Sequence, residues 1–472
     1  MSRFNTNNPT TSVENIAGGQ AFSMTPEMEL LHAVLTTFLD DKFYESGNKR
    51  SERLNSLVKK VDPEFTARLA VVARKEFHMR TVTHILVNYL AQNHRGDDLV
   101  KRTIVALTER PDDLTEIASS FIVNQKKSLP KQVKRGIRNA LLKFDRYQLG
   151  KYRQEGKKVS LVDLFNLVHP KVIHASTEQR QAWLDLINGN LKSEGTWERE
   201  ISGAKTKEEK RESWEKLVKS GKIGYMALLR NLNNLIGGDV DIGTLAIAAE
   251  RLADPQEVKK SKQLPFRFYT AWKNVSGNRT LKNAIADAME VSVANAPLFE
   301  GRTLVSIDCS GSMMGQPKEI AAIFGAIIAK RNDADLILYG TSVKSVEISS
   351  RSSVVDIVDK IRNVRLGGTE TALTFKYAKD KKYDRIVILS DNESWVEGYY
   401  RGEGVNKALL DYKKLSGADP YIYAIDIQGY GTKDISTPKV FHLSGWSDKI
   451  LDFMSLVEKG ESLIKYIKNY KL

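Results

Sequence analysis

The sequence predicts two domains of different class, an all-α part built from helical repeats followed by an α/β part with a doubly wound sheet. Three observations carry this. Apolar residues recur at helical spacing in segment after segment up to residue 296. From Thr303 onward short apolar runs alternate with amphipathic stretches, the βα pattern of a parallel sheet. The first of those runs ends in the turn Asp308-Cys309-Ser310-Gly311-Ser312. At 472 residues the chain also exceeds the size at which one core stops growing.

In the first part, helices are expected over 25–40, 50–60, 62–77, 81–93, 97–109, 112–125, 129–147, 160–167, 176–188, 222–236, 239–253, 264–275 and 279–296. Pro63, Pro111 and Pro130 stand at helix starts, where the missing amide costs nothing. Helices joined by short links, with no strand signal between them, suggest an α-solenoid in which neighbours bury one another's faces. Strict repeat self-similarity is not visible. Residues 192–219 are charge-dense and poor in apolar side chains, which reads as an exposed insertion or a solvated helix.

In the second part the expected order is strand 303–308, helix 317–331, strands 335–340 and 343–348, helices 352–363 and 371–380, strand 385–390, helix 404–414, strand 420–426 and a last helix 447–469 that can pack back on the first part. Three turns fall where strand ends should meet: Asp308 to Ser312, Gly367-Gly368-Thr369-Glu370-Thr371, and Ser390-Asp391. Open α/β sheets bind ligands at that edge. Carboxylates and hydroxyls are hard oxygen donors, and magnesium keeps several waters, so such a set suits it with one position left open. Taken alone, D-x-S-x-S can equally be a solvated loop.

Composition sets the outer bounds. With 41% hydrophobic and 28% charged residues the chain reads as a globular protein. No run of about 18 apolar residues occurs. Residues 1–20 are polar and Asn/Thr-rich, which reads as a flexible start rather than a signal peptide, so a cytoplasmic location is expected. Cys309 is the only cysteine, and no nearby His or Lys in the sequence marks it as activated, so it reads as a small buried residue. G-x-x-x-x-G-K-[ST], H-E-x-x-H and C-x-x-C patterns are absent, and nothing proposes nucleotide hydrolysis or zinc chemistry.

Charge is uneven. Residues 1–300 hold 47 Lys+Arg against 36 Asp+Glu, a net of +11, whereas 301–472 hold 25 against 22, a net of +3. Lys126 to Lys158 contributes twelve basic residues against Asp145 and Glu155, a net of +10. Within it, Ser128 is placed to cap a helix with Pro130 in its first turn. Val133, Ile137, Ala140, Leu141 and Phe144 share one face, and Lys131, Lys134, Arg135 and Arg138 the other. Such a face is either a solvated surface or a phosphate-binding one. The one-signed charge favours phosphate.

The three turns together resemble the metal-ion-dependent adhesion site of von Willebrand factor A domains. The matching positions are Asp308, Ser310, Ser312, Thr369 and Asp391, and the resemblance implies Mg2+ or another divalent cation held by the hydroxyls, with the aspartates acting through water. A helical domain followed by such an A domain resembles the Ro autoantigen family, whose first module (TROVE) is named for telomerase, Ro and vault proteins. The segments that carry this are Asn15-Ile-Ala-Gly-Gly-Gln-Ala, Glu29-Leu-Leu-His-Ala-Val-Leu with Phe43-Tyr44, Leu149-Gly-Lys-Tyr-Arg, Asp163-Leu-Phe-Asn-Leu-Val-His-Pro170, Ala227-Leu-Leu-Arg-Asn-Leu232 and Leu264-Pro-Phe-Arg267. The compact start and the length look closer to bacterial or phage members than to animal ones. On this resemblance residues 1–20 are a flexible N-terminus, 21–298 a HEAT-like helical ring and 299–472 the A domain.

The resemblance implies a monomeric, non-catalytic RNA-binding protein. Its outer basic surface would bind small noncoding Y RNAs, and the ring hole would take single-stranded 3′ ends of misfolded or immature RNA. Bacterial members can tether a 3′-to-5′ exoribonuclease through the Y RNA. Lys151, Arg153 and His169 lie in the stretch matching the family's RNA-contacting surface, although His169 before Pro170 also suits a helix end. Arg230 and Asn231 read as ring-stabilising, inside an apolar helix. Arg267, Lys273, Arg279 and Lys282 with Phe268 and Trp272 suit either a stacking and phosphate channel or core packing. Tyr339-Gly340-Thr341 departs from the Phe-Ser-Asp that A domains often show, which touches the outer coordination of the metal. A protein-interaction module with an idle basic face is the alternative function. A two-metal nuclease would need clustered carboxylates, and the turn offers mostly hydroxyls.

Overall fold

The computed structural model describes residues 12–14, 20–35, 47–124, 126–152, 156–191, 201, 203–349, 351–394, 404–430, 432–435, 437, 439–445, 449–458 and 463–472. They form two compact units, one of residues 25–199 with 463–472 and one of residues 1–24 with 200–462. By packing, the helices from residue 200 onward group with the α/β part.

The first unit is a helical array: α1 (Pro26–Leu35), α2 (Gly47–Lys60), α3 (Pro63–Lys75), α4 (Thr81–Asn93), α5 (Leu99–Leu107), α6 (Pro111–Ser119), α7 (Lys131–Ala140), α8 (Arg146–Lys151), α9 (Leu161–Val168) and α10 (Thr177–Ile187). Local chemistry sets the boundaries. Asp62 accepts from the Glu64 amide with Pro63 in the first turn, and Ser160 with Asp163 and Ser176 with Gln179 form capping boxes. α3 packs on α5, α5 on α7 and α7 on α9 as one layer, with α2, α4 and α6 as the other. The layers are tied by Asp113, which is fully buried and accepts from Arg74 and Arg80, each at 3.0 Å. A lone buried carboxylate would be costly; burial pushes its pKa up, but His84 and Arg74 outweigh that and hold it far below the ordinary range.

Two expectations about the basic segment change. Pro130 has extended backbone and stands just before α7, so the helix starts at Lys131 without a side-chain cap, and Ser128 does not close it. The single helix expected over 129–147 is interrupted because Asp145 and Gln148 form a capping box that starts α8. The apolar face is as read: Val133, Ile137 and Ala140 are buried. Gly136 lies against α5, where a Cβ would stand 2.8 Å from that of Ile104, so the absent side chain permits the close α5–α7 approach.

The second unit begins with β1 (Ser12–Glu14) paired to β2 (Gln20–Ser23), so part of the expected flexible start is a strand. Its helices are α11 (Lys207–Lys219), α12 (Tyr225–Arg230), α13 (Leu232–Gly237), α14 (Ile242–Ala253), α15 (Pro255–Ser261), α16 (Pro265–Asn274) and α17 (Arg279–Ser292). Part of the charge-dense stretch is thus an ordered helix, α11, which buries Trp214, Leu217 and Val218. The helix expected over 222–236 breaks at Asn231, whose side-chain Nδ2 donates to the Ala227 carbonyl at 2.8 Å.

The α/β part comprises β3 (Thr303–Asp308), α18 (Gln316–Asn332), β4 (Asp335–Tyr339), β5 (Val343–Val346), α19 (Val354–Arg362), α20 (Ala372–Ala378), β6 (Arg385–Ser390), α21 (Val405–Ser416), β7 (Tyr421–Asp426), β8 (Thr432–Lys433), β9 (Val440–Ser444) and α22 (Lys449–Glu458). The sheet order is β5-β4-β3-β6-β7-β9, parallel except for β5, and β8 pairs with β2 instead. β8 and β9 were not anticipated. β3 and β6 are buried along their whole length. Since the chain leaves β3 for β4 on one side and returns to β6 on the other, these two strands flank the topological switch point, where a ligand crevice opens.

The late helices are built into this unit. Glu319 on α18 accepts from Tyr269 Oη (3.0 Å) and pairs with Lys273 (2.7 Å) of α16. The rings of Phe266 and Phe324 lie 4.5 Å apart. The last helix, α23 (Leu463–Asn469), is separate from α22 and packs on α3 in the first unit, as a return of the chain end had suggested.

Candidate metal centre and basic face

The predicted metal turn lies at the carboxyl ends of β3 and β6. Asp308 Oδ1 accepts from the Ser310 amide at 2.8 Å, and its Oδ2 accepts from the Ser390 hydroxyl at 2.7 Å. The hydroxyls of Ser310 and Ser312 are 3.3 Å apart. Asp308, Ser310, Ser312, Thr369 and Asp391 are all buried. The glycine turn is tied in by the backbone, the Gly311 amide donating to Gly367 O (3.1 Å) and the Leu366 amide to Cys309 O (3.1 Å). Ser394 Oγ donates to Thr369 O at 3.1 Å.

The departure at Tyr339-Gly340-Thr341 has a steric cause. A Cβ on Gly340 would stand 2.3 Å from Leu366 O, so the crossing of the two loops excludes any side chain there. Thr341 takes over the link, with its amide (2.6 Å) and hydroxyl (2.9 Å) both donating to Leu366 O. Position 341 thereby serves loop geometry.

Two acids share the site with the buried Lys318 ammonium, which favours the Asp308 carboxylate. Burial raises the Asp308 carboxyl above its usual range. For Asp391 burial does so strongly, and the Asp308 carboxylate is the next cause. Asp391 Oδ1 is buried without a hydrogen-bond partner. Buried polar atoms are normally satisfied, so two buried acids with an orphaned oxygen fit a cation in their midst. Among the described residues no three His, Cys, Asp or Glu side chains form a metal-holding group, and here three hydroxyls complete the set.

Sequence reading missed Gln428. Its Nε2 donates to Ser312 O (3.1 Å) and to Asp391 Oδ2 (3.3 Å), and its Oε1 accepts from Tyr430 Oη (2.8 Å). It joins the turn after β7 to both metal loops. Its position two residues beyond the strand-ending Asp426 was the available signal. Cys309 is buried, which pushes its thiol up to about 12 and leaves it inert at neutral pH.

The basic residues are spread over the first unit. Lys131 and Arg135 on α7 are exposed and Lys134 and Arg138 half-buried. Arg138 Nε donates to Val168 O at 2.7 Å, fastening α7 to the end of α9. There His169 has φ 46°, a left-handed helix end, and is exposed. Lys151 ends α8, 5.9 Å from the Tyr147 ring centre and 5.8 Å from that of Tyr152, and Arg153 lies outside the described residues. Arg135 and Arg138 meet Lys101, Lys171 and His174 around a cleft of about 240 Å3 with no carboxylate in its lining. Lys131, Lys134, Lys151 and His169 do not line it. Lys101 escaped notice because only the α5–α7 contact brings it there.

The residues that suit either a channel or core packing lie in the second unit. Phe268 is fully buried and meets Tyr225 edge-on, rings 6.2 Å apart. Lys273 is engaged by Glu319, Lys282 lies 4.5 Å over Trp272, and Arg267 and Arg279 are exposed. Arg230 is exposed at the end of α12, next to the helix break at Asn231.

Comparison with known proteins bears on the family and the fold. The TROVE domain family matches residues 35–190 and 188–303. The chain belongs to the TROVE family. The Ro60 vWA domain family matches residues 302–455. The RNA-binding protein RO60 of Caenorhabditis elegans is 23% identical over 263 residues, covering 50% of this chain and 40% of that one. Telomerase protein component 1 of Rattus norvegicus is 23% identical over 292 residues, 45% of this chain and 11% of that one. The chain thus aligns with less than half the length of these TROVE relatives. The crystal structure of the Deinococcus radiodurans Ro (RSR) protein superposes with a TM-score of 0.64 at 16% identity, covering 93% of this chain and 100% of that one. That likeness shows a shared fold, TROVE helices followed by an A domain.

Proposed function

We propose that this TROVE protein is a non-catalytic RNA-binding protein. It holds small noncoding, Y-like RNA on the basic face of the first unit and single-stranded 3′ ends of misfolded or immature RNA, and it acts in RNA quality control or processing with an exoribonuclease. The observation that carries the reading is the carboxylate-free cleft of Arg135, Arg138, Lys101, Lys171 and His174. Guanidiniums fit phosphate oxygens in pairs and ammoniums bind them as point charges. The name of the related RNA-binding protein RO60 supports it.

Lys131, Lys134, Lys151, Arg153 and His169 extend this surface by resemblance. In the A domain, Mg2+ would be held by Ser310, Ser312 and Thr369, with Asp308 and Asp391 acting through water. The ion would supply an open Lewis-acid position for a carboxylate of a partner protein. The buried Asp391 Oδ1 without a partner favours that site. A monomer in the cytoplasm completes the proposal; among the described residues no helix is long and apolar enough to cross a membrane.

The test is to purify the tagged protein from its own cells and sequence the RNA that comes with it. Enrichment of a structured small RNA and of 3′-extended precursors is the expected result. RNA matching the total cellular pool would refute the assignment.

A further inference from the structure

The chain end brings a cation to a place the sequence does not mark. α23 is fixed on the first unit by Lys468 with Glu27 (2.7 Å), by Tyr470 Oη donating to Glu76 (3.2 Å) and by Arg68 donating to the Lys468 carbonyl. Lys471 then lines a cleft of about 420 Å3 together with Lys75 of α3, Lys101 and Arg102 of α5, and Asn139 and Lys143. That volume is within the range of about 300–1,000 Å3 common for ligand sites.

The charged side chains that line this cleft are all basic, and Leu472 lies beside them. No acidic side chain is among its lining residues. Lys101 and Arg102 share Asp98 at 2.7 and 2.9 Å, whereas Lys75 and Lys471 have no ion pair among the described residues. The Lys143 ammonium donates to the carbonyls of Val105 and Thr108. Burial lowers its pKa and the neighbouring Lys75 lowers it further, while Glu109 and Asp113 oppose them. Like charges gathered in one place repel, and a bound anion offsets that cost. Lys101 and Asn139 also line the cleft of Arg135 and Arg138, so the two adjoin.

We propose that this cleft is a second phosphate-binding site, seating backbone phosphates of the single-stranded part of an RNA, with Lys75, Lys143 and Lys471 as its cations. The inference rests on the RNA-binding reading above and gives the segment after the A domain a part in it. Each ammonium that neutralises a phosphate releases counterions, so the site carries a measurable share of the salt dependence.

Lys143 is held by carbonyls, so the test replaces Lys75 and Lys471. Wild type, Lys75→Gln/Lys471→Gln and Lys75→Arg/Lys471→Arg are titrated with a short oligouridylate over a range of salt. The Gln pair should weaken binding roughly tenfold and reduce the slope of log affinity against log salt by about one to one and a half. The Arg pair should bind as wild type. If the Gln pair binds the oligonucleotide like wild type, or the Arg pair loses as much as the Gln pair, the cleft is no phosphate site, while RNA binding elsewhere on α7 stands. If the wild type binds neither this probe nor structured RNA, both readings fall.

Discussion

The candidate metal centre and the basic face would specify their proposed ligands in opposite ways. At the metal centre a few donors from three loops converge within hydrogen-bonding distance, buried, with one oxygen of Asp391 left without a partner. On the basic face the cations are mostly exposed or half-buried and come from α5, α7, α8 and the segment after α9. An ion of fixed radius demands convergent geometry, and a phosphate backbone demands only density of charge along its path. Single substitutions should therefore be decisive in the first region and graded in the second.

The largest effect is expected at Asp308. Asp308→Ala removes a carboxylate that organises the hydration shell and leaves three hydroxyls that bind a cation weakly, so calorimetric titration should show magnesium binding at background. RNA affinity of the same protein should be unchanged. A variant that keeps wild-type metal binding, or that loses RNA affinity in step with metal, would end the contrast between the regions.

A middle-sized effect is expected at Lys151→Ala with Arg153→Ala. Competition assays should show about tenfold weaker binding of a Y-like stem-loop, in line with the loss of one or two charge-assisted phosphate contacts. An unstructured tailed RNA should lose less. Equal losses for both ligands would merge the two RNA surfaces into one.

The smallest effect concerns pH. Asp308 and Asp391 have carboxyl pKa values raised by burial in the metal-free protein. The folded state then holds protons that the unfolded state has released, so metal-free stability falls as pH rises above about 4, the ordinary carboxylate range. Magnesium replaces those protons and offsets that loss. The rise in melting temperature on adding magnesium should thus be greater near neutral pH than near pH 5. A shift independent of pH would mean that the ion binds away from these aspartates.

The same contrast explains what could be read from the sequence. β3, β6 and the turns after them were legible because fully buried strands are continuous hydrophobic runs that mark their own ends. The apolar face of α7 was legible through its period. The start of α8 was not, because a side-chain cap at Asp145 overrode a continuing helical pattern. β9, Val440–Ser444, is short and edge-placed, and only its pairing with β7 defines it. Lys101 and Lys471 are brought to their sites by tertiary contact, for which one sequence carries no local signal. The break at Asn231 again shows side-chain hydrogen bonding overriding periodicity.

The central claim is that the α7 face and its cleft bind RNA through phosphate contacts. The most direct measurement is the affinity for a stem-loop RNA with a single-stranded tail as a function of salt, for wild type and for Lys131→Gln/Lys134→Gln/Arg135→Gln/Arg138→Gln, with folding of both checked by circular dichroism. Wild-type log affinity should fall linearly with log salt, and the fourfold variant should bind about a hundredfold more weakly with a slope shallower by about three. An unchanged slope in a folded variant would contradict the account.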